Sequence, residues 1–320
     1  MCYACGAMND THNSKRYPLA ARRVLWVSLL SQCGIVFTGA LVRLTGSGLG
    51  CPTWPECTEG SLVPVPHQAQ GFHKYIEFGN RMLTFVIAVA CIASMIVALR
   101  TQPRRRPIVV LSALGLLGVL AQALLGGFTV LAGLHPATVA AHFLVSILLI
   151  YFAHVAYARS GEDGDATPQP VVRREAHLLG RIIVLLSACI LFLGTLVTGS
   201  GPHSGDAKTT VRFNFDPRVI SWLHADLVIF YLGLLVAMVL MLRMTAAPQP
   251  AQRRAGWLLC ISLAQGLIGY VQYFTGLPEL AVALHILGAL LVWLGALRLY
   301  DALQSREDTG AQPLQSVQRP

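Results

Sequence analysis

The sequence predicts an all-α integral membrane fold: eight transmembrane helices arranged as two pseudo-symmetric four-helix bundles. Three observations predict it. Of 320 residues, 54% are hydrophobic and 12% charged, against about a quarter charged in ordinary soluble domains. The apolar residues fall into eight runs of about 20, the helix length that crosses roughly 30 Å of hydrocarbon. One long segment also recurs. AQALLGGFTVLAGLHPATVAAH at 121–142 returns as AQGLIGYVQYFTGLPELAVALH at 264–285, a constant offset of 143.

Residues 1–23 read as a polar N-terminal tail with no small-residue cleavage site, so no removable signal peptide is expected. Its Cys2 and Cys5 form a C-x-x-C that reads as incidental. The first span, about 24–42, runs into GALVRLTGSG, and the fifth, about 182–199, ends on the echo GTLVTGSG. Spans two to four are placed at about 82–99, 108–131 and 138–158, completing an N-terminal bundle over 24–158. Several carry Gly, Pro or Thr, which membrane helices tolerate. A polar linker occupies 159–181. Spans at about 182–199, 219–242, 256–274 and 280–299 make the C-terminal bundle, 182–300, and 301–320 is a second tail. An even number of spans per half makes the repeats parallel, related by an axis along the membrane normal. Any cofactor belongs in a bundle core. Cys33, Cys91, Cys189 and Cys260 fall within spans and read as small apolar residues.

The net charge of +9 is explained by topology. With eight spans, both tails and the even-numbered loops hold 18 of the 24 basic residues, leaving Arg43, Lys74, Arg81, Lys208, Arg212 and Arg218 on the other face. This is the positive-inside pattern, with both termini cytoplasmic in a cell membrane. It gives no support to a nucleic-acid partner; the lipid bilayer is the partner expected. The first outer loop, CPTWPEC, then faces the oxidising side, where a disulfide between Cys51 and Cys57 is expected.

Histidine within hydrocarbon marks a functional site. His142, His224 and His285 lie at one depth, one or two turns from the outer ends of even-numbered spans. His224 and His285 are placed to give one haem iron two axial imidazoles. No cluster of Cys or carboxylate completes a zinc tetrahedron around them. His154, near the cytoplasmic end of the fourth span, reads as structural. In the N-terminal half, aligning Ile76 with Ile220 brings Asn80 opposite His224, so this half offers His142 and Asn80. Glu77 stands one turn before Asn80. It reads either as a surface ion pair with Arg81, or as an acid, base or electrostatic stabiliser facing a haem-like substrate. The Gly-rich segments TGSGLGCP and TGSGPHSGD, near Arg43, Lys208, Arg212 and Arg218, are candidates for holding propionates, although turn formation accounts for most of these glycines.

GALVRLTGSGLGCPTWPEC, IEFGNR, AAHF, TGSGPHSGD with WLHADL, and VALHILGAL, spread over residues 39 to 290, together resemble the haem A synthase family. The resemblance implies two pseudo-symmetric bundles. Haem b is the cofactor, held by His224 and His285. Haem O is the substrate, in the N-terminal half, with Glu77 essential and His142 near its iron. The reaction it implies oxidises a ring methyl to a formyl group by successive hydroxylations. Because haem O is poorly soluble, an encounter with the haem O synthase is expected; the resemblance also implies association into homo-oligomers, and the electron donor is left unspecified. Many members carry a histidine where this chain has Asn80. The substrate iron is then five-coordinate, takes water, or recruits His73 or His67.

Three other functions compete. A bis-histidine electron-transfer cytochrome b is favoured by Asn80 and disfavoured by Glu77. A transporter calls for charges at the bilayer midplane, whereas Glu77, Arg81 and Asp226 crowd the outer end. A thiol–disulfide carrier calls for a second cysteine pair in the outer loops.

Overall fold

The computed structural model describes residues 16–203, 205–206 and 211–306. Cys2, Cys5 and Lys208 lie outside these residues. Eight helices are long and apolar enough to cross a membrane: α1 Leu19–Leu44, α2 His73–Arg100, α3 Arg106–Leu131, α4 Pro136–Ser160, α5 Arg174–Ser200, α6 Pro217–Met244, α7 Gln249–Phe274 and α8 Glu279–Ala302. The chain is a multi-pass membrane protein whose membrane-crossing elements are all helices.

Each helix contains its expected span and extends past it. α2 starts at His73, ahead of the apolar run at 82, and α5 starts at Arg174, ahead of 182. Hydropathy registers only the part of a helix that meets hydrocarbon. With helices of 24 to 28 residues and 1.5 Å of rise per residue, lengths reach about 36–42 Å. The polar first and last turns therefore project beyond a core of roughly 30 Å, or the helices tilt. Proline fits the first turn, where an N–H has no acceptor, and it opens α3, α4, α6 and α7. At α6, Asp216 adds a cap by accepting from the N–H groups of Arg218 and Val219.

In each half the helices pack in a ring. α1 meets α2, α2 meets α3, α3 meets α4 and α4 returns to α1; α5 to α8 repeat the order. The halves join through α4 against α5 and α1 against α8. An apolar core including Leu29, Ile150, Leu191 and Trp293 lies along that seam. The repeat extends to the turns. α3 and α7 both end on a Gly-Leu pair in the left-handed region, Gly133 (φ 61) with Leu134 (φ 58), and Gly276 (φ 80) with Leu277 (φ 62). The N–H of each leucine returns to the last helical turn, at Thr129 and Gln272 respectively.

Glycines join the two halves at the end that carries the CPTWPEC loop. The Gly48 N–H donates to the Gly205 carbonyl at 2.7 Å. A Cβ on Gly48 would stand 2.7 Å from that oxygen and 2.7 Å from Leu134. Arg43 crosses the same seam, donating from Nε to His203 O (2.7 Å) and from Nη2 to Thr198 O (2.9 Å). At the opposite, basic end, the linker strand β1 (Gln169–Pro170) pairs antiparallel with β2 (Gln304–Ser305) after α8. Buried Arg105 holds the linker through Asp165 and the carbonyls of Arg159 and Glu162. His154 bonds Asp301 at 2.8 Å, a structural pairing between α4 and α8.

Candidate functional site

The three intramembrane histidines and Asn80 occupy one repeated geometry. His224 on α6 and His285 on α8 come from diagonally placed helices and meet in the core of the C-terminal bundle. Their ring centroids are 6.5 Å apart, with planes at 65°. The neighbouring helices make room with glycine. The position of a Gly269 Cβ lies 3.2 Å from His285 Cε1, and that of a Gly194 Cβ 3.5 Å from His224 Cε1. The N-terminal half repeats this, with Gly126 3.2 Å from His142 Cε1 and Gly39 3.9 Å from Asn80 Nδ2. Asn80 thus takes the place of His224, as the sequence register implied. Its Oδ1 accepts from the Thr38 hydroxyl at 2.8 Å.

A glutamine supports each repeated histidine. Gln122 Nε2 donates to the His142 carbonyl (2.8 Å), and Gln265 Nε2 to the His285 carbonyl (2.5 Å). The second contact needs Gly288, where a Cβ would lie 2.0 Å from the Gln265 side-chain oxygen. Both glutamines stood in the recurring segment. Their role was illegible because the partner is a backbone carbonyl on another helix. Nδ1 of His142, His224 and His285 is buried with no hydrogen-bond partner among the described residues.

The pair fits a haem iron. An imidazole nitrogen binds a metal at about 2 Å, and the ring centre lies roughly 1 Å further. Two rings on opposite sides of one iron therefore have centres about 6 Å apart, close to the observed separation. Among the described residues there is no group of three or more His, Cys, Asp or Glu suited to holding a bare metal ion.

Glu77 and Arg81 are paired, but beneath the first loop and away from the surface. Glu77 is 5% exposed. Its Oε2 accepts from the Cys51 N–H at 2.6 Å, and its Oε1 from Arg81 Nη2 at 2.6 Å. Arg81 also donates to the carbonyls of Cys51, Thr53 and Glu56. One turn earlier, Lys74, 2% exposed, donates to the carbonyls of Val65 and Pro66. Residues 74, 77 and 81 share one helical face, and that face gathers the loop onto the N-terminal bundle. The loop is closed by the Cys51–Cys57 disulfide. Trp54 inserts against Gly127, where a Cβ would lie 2.3 Å from the indole. Since Gly126 faces His142, Trp54 covers the helix segment beside that histidine. Neither Lys74 nor Trp54 was singled out in the sequence.

The remaining candidates separate. His73 accepts or donates at Ser47 Oγ (2.8 Å), which anchors it to the α1 end; His67 is exposed in the loop. The propionate expectation for Arg43 is corrected, because its guanidinium is committed to carbonyls across the seam. The paired glycines likewise hold each other rather than an anion. Arg212 donates to Pro202 O. Arg218 is exposed on α6, in an open groove with Trp222 and Asp226 on the outer face of that helix.

A profile of the family described as "Cytochrome oxidase assembly protein" matches residues 22–204. Among curated relatives, the heme A synthase of Geobacillus kaustophilus is 39% identical over 116 residues, 36% of this chain and 35% of the relative. That of Lysinibacillus sphaericus is 35% identical over 138 residues, 42% and 43% of the two chains. That of Halalkalibacterium halodurans is 28% identical over 166 residues, 51% and 54%. The chain thus spans between about a third and about a half of the length of these relatives. The profile match covers more than half of the chain and includes the disulfide loop, Glu77, Asn80 and His142, so this membrane protein belongs to the cytochrome oxidase assembly protein family.

Proposed function

We propose that the protein is a haem A synthase, oxidising a ring methyl of haem O to a formyl group by successive hydroxylations. The observation that carries this is the repeated core site: two facing histidines in one bundle, and His142 with Asn80 at the same place in the other. The similarity to heme A synthases points the same way.

In this proposal His224 and His285 hold haem b through their Nε2 atoms, since Nδ1 is the buried nitrogen of each ring. Haem b supplies one-electron redox chemistry when bound. The N-terminal bundle receives haem O, with His142 toward its iron. Asn80, a poor ligand already engaged with Thr38, leaves the opposite side open. Of the roles considered for Glu77, the electrostatic one is best supported. Both of its oxygens already accept hydrogen bonds, one of them from Arg81, so the carboxylate is held in place one turn from Asn80, where it stabilises positive charge developing at the substrate. By holding Cys51 it also positions the loop over the pocket. Both termini are cytoplasmic, which puts the loop on the oxidising face of the cell membrane. The poor solubility of haem O makes an encounter with the haem O synthase the expected route of supply, and homo-oligomers are expected in the bilayer.

The test is haem extraction from a host that makes haem O but no haem A, with and without this chain. Haem A or its hydroxylated intermediate should appear only with the chain. Haem b co-purifying with haem O untouched would reject the synthase in favour of an electron-transfer cytochrome. Glu77→Gln should keep the low-spin haem b spectrum and lower product formation about a hundredfold. Equal activity would remove Glu77 from the chemistry.

A further inference from the structure

Deeper in the N-terminal bundle than the Asn80–His142 pocket, toward the basic end, lies a cavity of about 20 Å³. Its polar walls are Ser28 and Gln32 of α1, Cys91 and Ser94 of α2, and Ser112 of α3. Ser94 and Ser112 are 4% and 6% exposed, and their hydroxyls are buried with no hydrogen-bond partner among the described residues. Gln32 Nε2 and Ser28 Oγ reach the Cys91 sulfur at 3.5 and 3.8 Å, a weak partner. Leaving hydroxyls dry costs free energy. A polar cavity above roughly 10–15 Å³ accommodates one water, which requires two to four partners.

The other half is built differently at the same positions. In the register that pairs Gly39 with Gly194, Asn80 with His224 and His142 with His285, Ser28, Cys91, Ser94 and Ser112 correspond to Ile183, Leu235, Met238 and Ala255. Those four are fully buried in a continuous apolar core. Gln32 corresponds to Ser187, whose hydroxyl is bonded to Tyr231 Oη at 3.1 Å. The C-terminal bundle is thus filled where the N-terminal bundle is polar and hollow. Polar groups continue from the cavity toward the pocket. Gln32 stands six residues, about 9 Å of helix, from Thr38, which binds Asn80. Gln122 bonds Ser146 Oγ at 2.5 Å, and that hydroxyl donates to the His142 carbonyl.

We propose that this cavity holds an ordered water bonded by Ser94, Ser112 and Gln32, and that the water is a proton station serving the Asn80–His142 pocket. The station's purpose rests on haem O occupying that pocket; the water site does not. Oxidation of a C–H bond moves protons as well as electrons, and at the cavity's level the C-terminal half is packed solid, its Ser187 hydroxyl taken up by Tyr231.

The test is radiolytic hydroxyl labelling of the full chain with haem b bound, in lipid nanodiscs, read by mass spectrometry. A buried water generates the radical in place, so Cys91 and Leu111 should be labelled, while Met238 and Leu235 stay unlabelled despite the high reactivity of methionine. Ser94→Met, the residue of the other half, should abolish the Cys91 label and lower product formation severalfold with the low-spin spectrum retained. Equal, low labelling of both halves would overturn the water site. Loss of label with unchanged product formation would overturn the proton station. Should Ser94→Met lose the low-spin spectrum, Ser112→Ala removes one partner without added bulk and is held to the same two readouts. A labelled Cys91 in a chain that converts no haem O would support the water site and reject the substrate pocket instead.

Discussion

In His142, His224 and His285 the ring Nδ1 is the nitrogen buried in the bundle core, which leaves Nε2 as the one turned to a ligand. Glycine on the adjacent helix gives each ring its space. Replacing His224 or His285 with Ala should abolish the low-spin spectrum of the purified protein; a retained spectrum would reject the pair as ligands. Asn80→His imports the arrangement of the other half. With haem O loaded, it should add a second low-spin signal by closing the open side of the iron. An unchanged spectrum would mean that position 80 does not face the substrate. The histidines were legible in the sequence because a titratable residue in an apolar run stands out by itself. Gln122 and Gln265 were not, since a glutamine's partner on another helix leaves no local pattern.

Among the elements, the N-terminal face of α2 carries the largest difference between expectation and structure. Lys74, Glu77 and Arg81 sit at the water-facing end of a span, where charge is ordinary, and the Glu77–Arg81 spacing fits an exposed pair equally well. Burial came from the loop folded over them, which no helical periodicity reports. Arg81→Ala would strand the Glu77 carboxylate and the carbonyls of Cys51, Thr53 and Glu56. Breaking a buried pair in this way costs about 3–5 kcal/mol, and limited proteolysis should then cut within 45–72. The disulfide closes a short loop, so replacing Cys51 and Cys57 together with Ser should cost about 2 kcal/mol, read as a lower melting temperature. If melting is unchanged and product formation is lost, the cysteines act in the chemistry rather than as a staple.

At the scale of the whole molecule, the eight helices and the internal repeat were readable because span length and a constant offset are properties of the chain alone. The docking of one half on the other was not. Segments TGSGLG and TGSGPHSG looked like anion-binding turns, yet they meet each other across the seam, some 157 residues apart in the chain (Gly48 to Gly205). Arg43→Leu removes two hydrogen bonds from a charged donor, each worth about 1.5–3 kcal/mol. It should lower the melting temperature while sparing the haem b spectrum. A silent substitution would assign the union of the halves to the helix contacts alone.

The Gly48–Gly205 contact also bears on how such a chain can change over generations. A join made of side chains can drift, since a larger residue on one side is matched by a smaller one opposite. Here there is nothing to trade: both partners are bare backbone, and any Cβ at position 48 strikes a carbonyl. After an ancestral duplication the two interiors could diverge, one turning polar and the other oily. At the glycine turn itself that freedom is missing, because a side chain at position 48 would push the two turns apart.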